Sequence, residues 1–128
     1  MIFPYAYNTK RENLYSLENS FEIKIVVLNG VSVVTTTWNE KENIKKLIPT
    51  IRNVLKEVQH EIIVVDDNSS DGTIQIASRL ADIAVTKTRE GQTKGLLYGM
   101  RPAKYPTIIT IDADLENDPT HVPNLIAR

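Results

Sequence analysis

Thr107-Ile108-Ile109-Thr110-Ile111-Asp112-Ala113-Asp114-Leu115-Glu116 is the stretch whose reading decides the fold. An apolar, β-branched run stops at three carboxylates on alternate positions. Side chains two apart in an extended chain point the same way, so Asp112, Asp114 and Glu116 are expected on one face. Three acids that close repel one another unless a cation sits among them, and oxygen-only ligands suit a hard ion, Mg²⁺ or Mn²⁺. A lone Asp-x-Asp recurs by accident where buried strands reach the surface, so its meaning depends on what the chain places beside it.

Upstream, the same kind of strand recurs. Val31 to Thr36 is short, β-branched and mostly apolar, as is Glu61 to Val65, and Ile83 to Lys87 reads as a shorter one. Helical patterns separate them. Asn39 with Glu42 has capping-box spacing, and Ile44, Leu47, Ile48, Ile51, Val54, Leu55 and Val58 fall on one stripe, with a kink expected before Pro49. A second helix is expected at Thr73 to Leu80 with Ile74, Ala77 and Ala81 inward. A third starts near Thr93 with Leu96, Leu97 and Met100 as its apolar face. Asp118-Pro119 has the form of an N-cap followed by a first-turn proline. Strands alternating with helices across short loops predict an α/β domain, a parallel, Rossmann-like sheet with helices on both faces, over residues 31–128. Residues 1–30 read as an N-terminal extension. The first twenty show no period and are expected to be poorly ordered, and an edge strand is expected at 21–28.

Composition bounds the function classes. With 128 residues, 41% hydrophobic and 24% charged, the chain suits one soluble domain with one core. A net charge of −1 carries no basic footprint for nucleic acid. The absence of cysteine excludes disulfides and thiolate metal sites. Ile23 to Val34, the longest apolar stretch, is broken by Lys24, Asn29, Gly30 and Ser32 and is too short to span a bilayer. The expected location is cytoplasmic, peripheral at a membrane surface at most.

In open parallel sheets, ligands bind beyond the carboxyl ends of the strands. Polar residues gather there three times: Thr36-Thr37-Trp38-Asn39-Glu40, Asp66-Asp67-Asn68 and Asp112-Ala113-Asp114. A rim this acidic takes a phosphate only through a bridging divalent cation. Arg89 and Lys94, near Gly91 and Gly95, are candidates to meet an anion, with solvated surface charge as the competing reading. For Trp38 the competing reading is a core or rim aromatic.

Three segments resemble the family 2 glycosyltransferases: Val31 to Glu40, Ile62 to Thr73, and Ile111 to Leu115. Within that family the chain is most similar to dolichyl- or polyprenyl-phosphate sugar synthases, from Val31 to about Leu125. The resemblance implies the GT-A nucleotide-sugar-binding fold and an inverting transfer from a UDP- or GDP-sugar, dependent on Mg²⁺ or Mn²⁺. It places Thr36, Thr37, Trp38 and Glu40 along the base and ribose, and Asp67, with its neighbour Asp66, at the base. Asp112 and Asp114 match the pair beside the diphosphate and metal, and Glu116 falls where this branch often has glutamine as a further ligand. Thr36 stands where the family usually has proline, and Trp38 where it has tyrosine, which bears on nucleotide preference. The implied chemistry is a single displacement whose departing diphosphate is neutralised by the metal. A polyprenyl phosphate acceptor, already ionised, needs no general base. A sugar hydroxyl would need one, and no residue matches that role.

Only the nucleotide-binding half is covered, so two further readings are carried. One is a truncated, non-catalytic nucleotide-sugar-binding module, with a homo-oligomer or partner covering the sheet edge left open. The other is a receiver-like signalling domain. Chain order opposes it, because a strand and a long helix precede Asp66-Asp67 and no lysine follows Asp112.

Overall fold

The computed structural model describes residues 2–8, 13–16, 29–111 and 113. In chain order the elements are β1 (Ile2–Asn8), β2 (Asn13–Ser16), β3 (Val31–Thr37), α1 (Lys41–Val54), β4 (His60–Asp66), α2 (Thr73–Leu80), β5 (Ile83–Thr86), α3 (Gln92–Met100) and β6 (Thr107–Ile111). They form one sheet in the order β2-β1-β6-β3-β4-β5. β6, β3, β4 and β5 run parallel, as the alternation of strands and helices requires. β3 and β4 are buried nearly end to end, because helices cover both faces and leave no solvent side for polar residues.

Period-two alternation divides the core. Val31, Val33, Ile62, Val64, Ile109 and Ile111 face α1 and α2, where Ile44, Leu47, Ile48, Ile51 and Ala77 meet them. Val34, Ile63, Val65 and Ile108 face the other way, against Leu96 and Met100 of α3. α1 runs unbroken through Pro49, which lies on its exposed side, and the Thr50 hydroxyl donates to the Lys46 carbonyl at 2.7 Å.

Several expectations are corrected. Residues 2–8 and 13–16 are strands rather than a poorly ordered segment, with β1 antiparallel to both β6 and β2. An edge strand offers an unpaired backbone ladder that needs no side-chain period to recruit a partner, which is why no pattern announced β1. Its register shifts between Ile2 and Ala6, around Pro4, the residue that cannot donate to a ladder. The edge expected to need an outside partner is thus covered by the chain itself. The strand expected at 21–28 and the helix expected after Asp118 lie outside the described residues. In α2, Ile76 and Leu80 join Ala77 against the core rather than Ile74. Leu97, expected inward, is 57% exposed, and the buried positions of α3 are Gly95 and Gly99. A Cβ on Gly99 would stand 2.5 Å from Val34 Cγ1 and 2.9 Å from Val65 Cγ2, so the helix backbone itself lies on the sheet.

At the amino ends of the strands, a buried carboxylate ties down the link from α3 to β6. Glu61 Oε2 accepts from Ser32 Oγ and from the Lys104 amide, both at 2.6 Å, and the Tyr105 amide donates to Ser32 Oγ. Among the described residues, no helix is long and apolar enough to cross a membrane.

Candidate functional site

Parallel register sets the rim. Thr37 pairs with Asp66 across β3 and β4, and Asp66 with Thr86 across β4 and β5. The next residue of each strand end, Trp38, Asp67 and Lys87, therefore forms the following row. The ladder continues into it, since the Asp67 amide donates to the Thr37 carbonyl at 2.8 Å and the Lys87 amide to the Asp66 carbonyl at 2.9 Å. β6 runs parallel to β3, so the strand leading to Asp112 ends on the same side of the sheet.

Alternation sends the two neighbouring acids to opposite faces. Asp66, fully buried, lies on the α1/α2 side. It accepts from the Thr37 hydroxyl at 2.7 Å, the Ser69 hydroxyl at 2.6 Å and the Ser69 amide at 2.8 Å. Its oxygens are occupied in shaping the loop 67–72. Asp67 lies on the α3 side. Its Oδ1 is buried against the Lys87 ammonium at 2.6 Å, with both side chains only 8% exposed. Lys87 Nζ also donates to the Thr88 carbonyl at 3.0 Å. Above this row the Arg89 guanidinium stacks on Trp38, 3.6 Å from the ring centroid, and Trp38 remains 46% exposed. Thr36 turns toward α3, where a Cβ on Gly95 would come within 2.7 Å of its Cγ2 and 3.6 Å of Lys87 Cε.

The loop after β4 also starts two helices. The expected Asn39–Glu42 capping box does not form, because Asn39 adopts φ 53° and Glu40 is the N-cap. Asn39 Oδ1 accepts from the Ser70 amide, and the Asn39 amide donates to Ser69 Oγ. Asp71 accepts from the Lys41 amide on Oδ2, and from the Thr73 amide and hydroxyl on Oδ1. The hydrogen bond from the Thr73 hydroxyl holds the Asp71 carboxyl below its ordinary range; burial opposes it, and the Thr73 and Lys41 amides add to the lowering. Glu40 accepts from Asn43 Nδ2 at 2.7 Å and lines an open pocket of about 330 Å³ with Asn39, Lys41, Glu42, Asn43 and Asp71.

The structure therefore brings Thr36, Thr37, Trp38, Asp66, Asp67 and Arg89 to one rim. Lys94, in the first turn of α3, is exposed and pairs with Glu90 at 3.5 Å. Asp112, Asp114 and Glu116 lie outside the described residues. Among the described residues, no group of three or more His, Asp or Glu is placed to hold a metal ion. Asp66 is engaged by its loop, and one oxygen of Asp67 by Lys87. Ala113, between Asp112 and Asp114, is packed in the core with Ile109 and Ile111. Lys87 was missed because it reads as the last residue of a strand. Counting the row after Thr37, Asp66 and Thr86 finds it.

Residues 32–128 match the model of the family described as glycosyl transferase family 2. The chain is 36% identical over 101 residues to dolichol-phosphate mannosyltransferase of Pyrococcus furiosus, covering 75% of this chain and 29% of that one. It is 36% identical over 109 residues to undecaprenyl-phosphate 4-deoxy-4-formamido-L-arabinose transferase of Proteus mirabilis, covering 78% and 33%. Among solved structures it is similar to a mannosyltransferase from Pyrobaculum calidifontis in complex with GDP-Man and Mn²⁺. That match has TM-score 0.57 and 27% identity, over 66% of this chain and 27% of that one. The chain spans about a third of the length of the curated relatives it matches.

Proposed function

Because the chain belongs to glycosyl transferase family 2, we propose that it forms the donor-binding half of an inverting glycosyltransferase. The donor is a UDP- or GDP-sugar and the acceptor a polyprenyl phosphate. The observation that carries this reading is the row Trp38, Asp67, Lys87 at the carboxyl ends of three neighbouring parallel strands, capped by the Arg89–Trp38 stack. It offers a half-exposed aromatic face, a carboxylate and two cations where such sheets bind nucleotides. The relatives' polyprenyl-phosphate acceptors support the acceptor class.

In this reading Trp38 and Thr36 lie along the nucleoside and Asp67 receives an N–H of the base. Arg89 holds the Trp38 ring in place and adds positive charge near the phosphates. Asp66 and Asp71 act only by fixing the loop that carries Asp67. Asp112, Asp114 and Glu116 would hold a divalent cation, which when bound offsets charge on the departing diphosphate. The acceptor phosphate attacks the anomeric carbon from the face opposite the leaving group, and being ionised it needs no base from this chain.

Calorimetry tests the donor site. UDP or GDP should bind in the presence of Mn²⁺ and not in its absence, and Asp114→Ala should abolish that binding. Unchanged binding in the variant would remove the metal role of the acids after β6. A second reading, donor binding without transfer, is favoured by coverage of about a third of the relatives' length. Labelled sugar passing from donor to polyprenyl phosphate would exclude it.

A further inference from the structure

We propose that the outward face of α3 is a docking surface for an anionic lipid bilayer. The helix carries two opposed stripes. Gly95, Leu96, Gly99 and Met100 turn inward, the glycines buried on the sheet and the two larger side chains half-buried against Val34, Ile63, Val65 and Ile108. Lys94, Leu97, Tyr98 and Arg101 recur at spacings of three and four and make the opposite stripe, all of them exposed. Arg101 is the C-cap yet keeps helical angles, φ −61° and ψ −47°, so the stripe runs through it. Among the described residues the exposed large apolar side chains are Trp38, Leu97 and Tyr98, and the last two are neighbours here, 57% and 41% exposed. None of Trp38, Asp67 and Lys87 belongs to this stripe, so the inference does not rest on the donor-binding reading.

The charge around the pair has one sign. The chain as a whole carries −1, yet no Asp or Glu lies between Glu90 and Asp112, a stretch that holds Lys94, Arg101 and Lys104. The Arg101 guanidinium stands 5.6 Å from the Tyr98 ring, and Lys104, three residues on, is exposed as well. Lys94 has Glu90 at 3.5 Å, but an exposed pair of that length holds it only weakly. Leucine and tyrosine among long basic side chains suit a membrane interface. The apolar groups enter the acyl boundary, the tyrosine hydroxyl stays at the head groups, and the cations meet lipid phosphates. A folded protein fits this face less well. Specific protein interfaces bury about 800 Å² on each side with matched shape. Two protruding side chains on a nine-residue helix offer little of that. A bilayer has no shape to match, so protrusion ringed by positive charge suffices.

Co-sedimentation tests this, using vesicles of phosphatidylcholine alone and of phosphatidylcholine with an equal part of phosphatidylglycerol. The wild-type chain should pellet with the anionic vesicles and stay in solution with the neutral ones, and added salt should release it. Arg101→Gln with Lys104→Gln removes two charges, each contributing about fivefold, and should weaken binding on the order of twentyfold. Leu97→Ala with Tyr98→Ala keeps the charges and should weaken binding about tenfold or more. Should either pair fail to fold, amide hydrogen exchange of the wild type provides the readout, slowing over residues 94–104 with anionic vesicles and not over α1. A wild type that stays in solution with both vesicles overturns the inference, as do paired variants that bind as the wild type does, or exchange that slows elsewhere instead. Equal pelleting with neutral vesicles overturns the role of the cations. Capture by soluble polyglutamate that is as tight as by vesicles, and indifferent to Leu97→Ala with Tyr98→Ala, overturns the lipid assignment in favour of an acidic protein.

Discussion

Asp71 takes the Lys41 amide with one oxygen and the Thr73 amide and hydroxyl with the other, so one carboxylate satisfies the first turns of α1 and α2 together. Helix starts leave N–H groups without intrahelical partners, and each cap contributes about 1 kcal/mol. Asp71→Ala removes both and should lower stability by about 2 kcal/mol, read as a shifted urea midpoint with unchanged slope. The pH dependence follows from the same bonds. Asp82 behaves alike: burial pushes its carboxyl up, but the Arg52 hydrogen bond and the Ile62 amide more than offset this and hold it low. A carboxyl depressed in the folded state adds stability that is present above the unfolded value, about 3.9 for aspartate, and is lost as pH falls through the folded value. Stability should therefore be level near neutrality and decline below about pH 4. Asp71→Asn and Asp82→Asn should each flatten that decline, and a decline as steep in both variants would assign it to other groups. Asp71 was legible only as part of a polar loop, because its partner on α1, the Lys41 amide, lies thirty positions upstream.

At the scale of elements, α3 shows where periodicity misleads. Leu96, Leu97 and Met100 imply an apolar stripe, yet the helix seats its glycines on the sheet and leaves Leu97 outside. Apolar spacing marks a face only when side chains mediate the contact. Where backbone meets sheet directly, the inward positions are the ones with no side chain at all. Gly99→Ala gains helix propensity of about 1 kcal/mol. It also drives a Cβ to 2.5 Å from Val34 Cγ1, where nothing flexible can yield. The overpacking term, about 1–3 kcal/mol, should win, giving a net loss in thermal or urea unfolding. Val34→Ala alone opens a void, whereas Val34→Ala with Gly99→Ala lets the new methyl fill part of it. The pair should then be less destabilised than the sum of the single changes, and strict additivity would refute the contact. Leu97→Ala, in contrast, should be nearly neutral. The parallel strands and α1 were legible, because buried parallel strands announce themselves as unbroken β-branched runs and α1 as a stripe on one face.

Taken as a whole molecule, the parallel half of the sheet could be foreseen from strand–helix alternation, while its antiparallel margin could not. β1 is held to β6 by backbone pairing, which leaves little trace in side-chain pattern. The same division applies to the site. Trp38, Asp67 and Arg89 were identifiable from strand ends and motifs, but Lys87 and the opposed duties of Asp66 and Asp67 required the register. The margin has a consequence for the intact chain. β6 is paired with β3 on one side, and β1 occupies its other side, so removing residues 1–16 would expose a row of unpaired N–H and C=O groups on an apolar strand. Ile108, Ile109 and Ile111 are fully buried in the folded chain, and a bare edge of that composition templates pairing with another copy. The shortened chain should therefore retain the α1 and α2 core while associating as its concentration rises. Sedimentation velocity over a range of concentrations should show the full chain unchanged and the shortened one moving to larger species. Restoring residues 1–16 as a separate peptide should reverse the shift by refilling the edge. A shortened chain that sediments as the full one does at every concentration would mean that β1 does not protect β6.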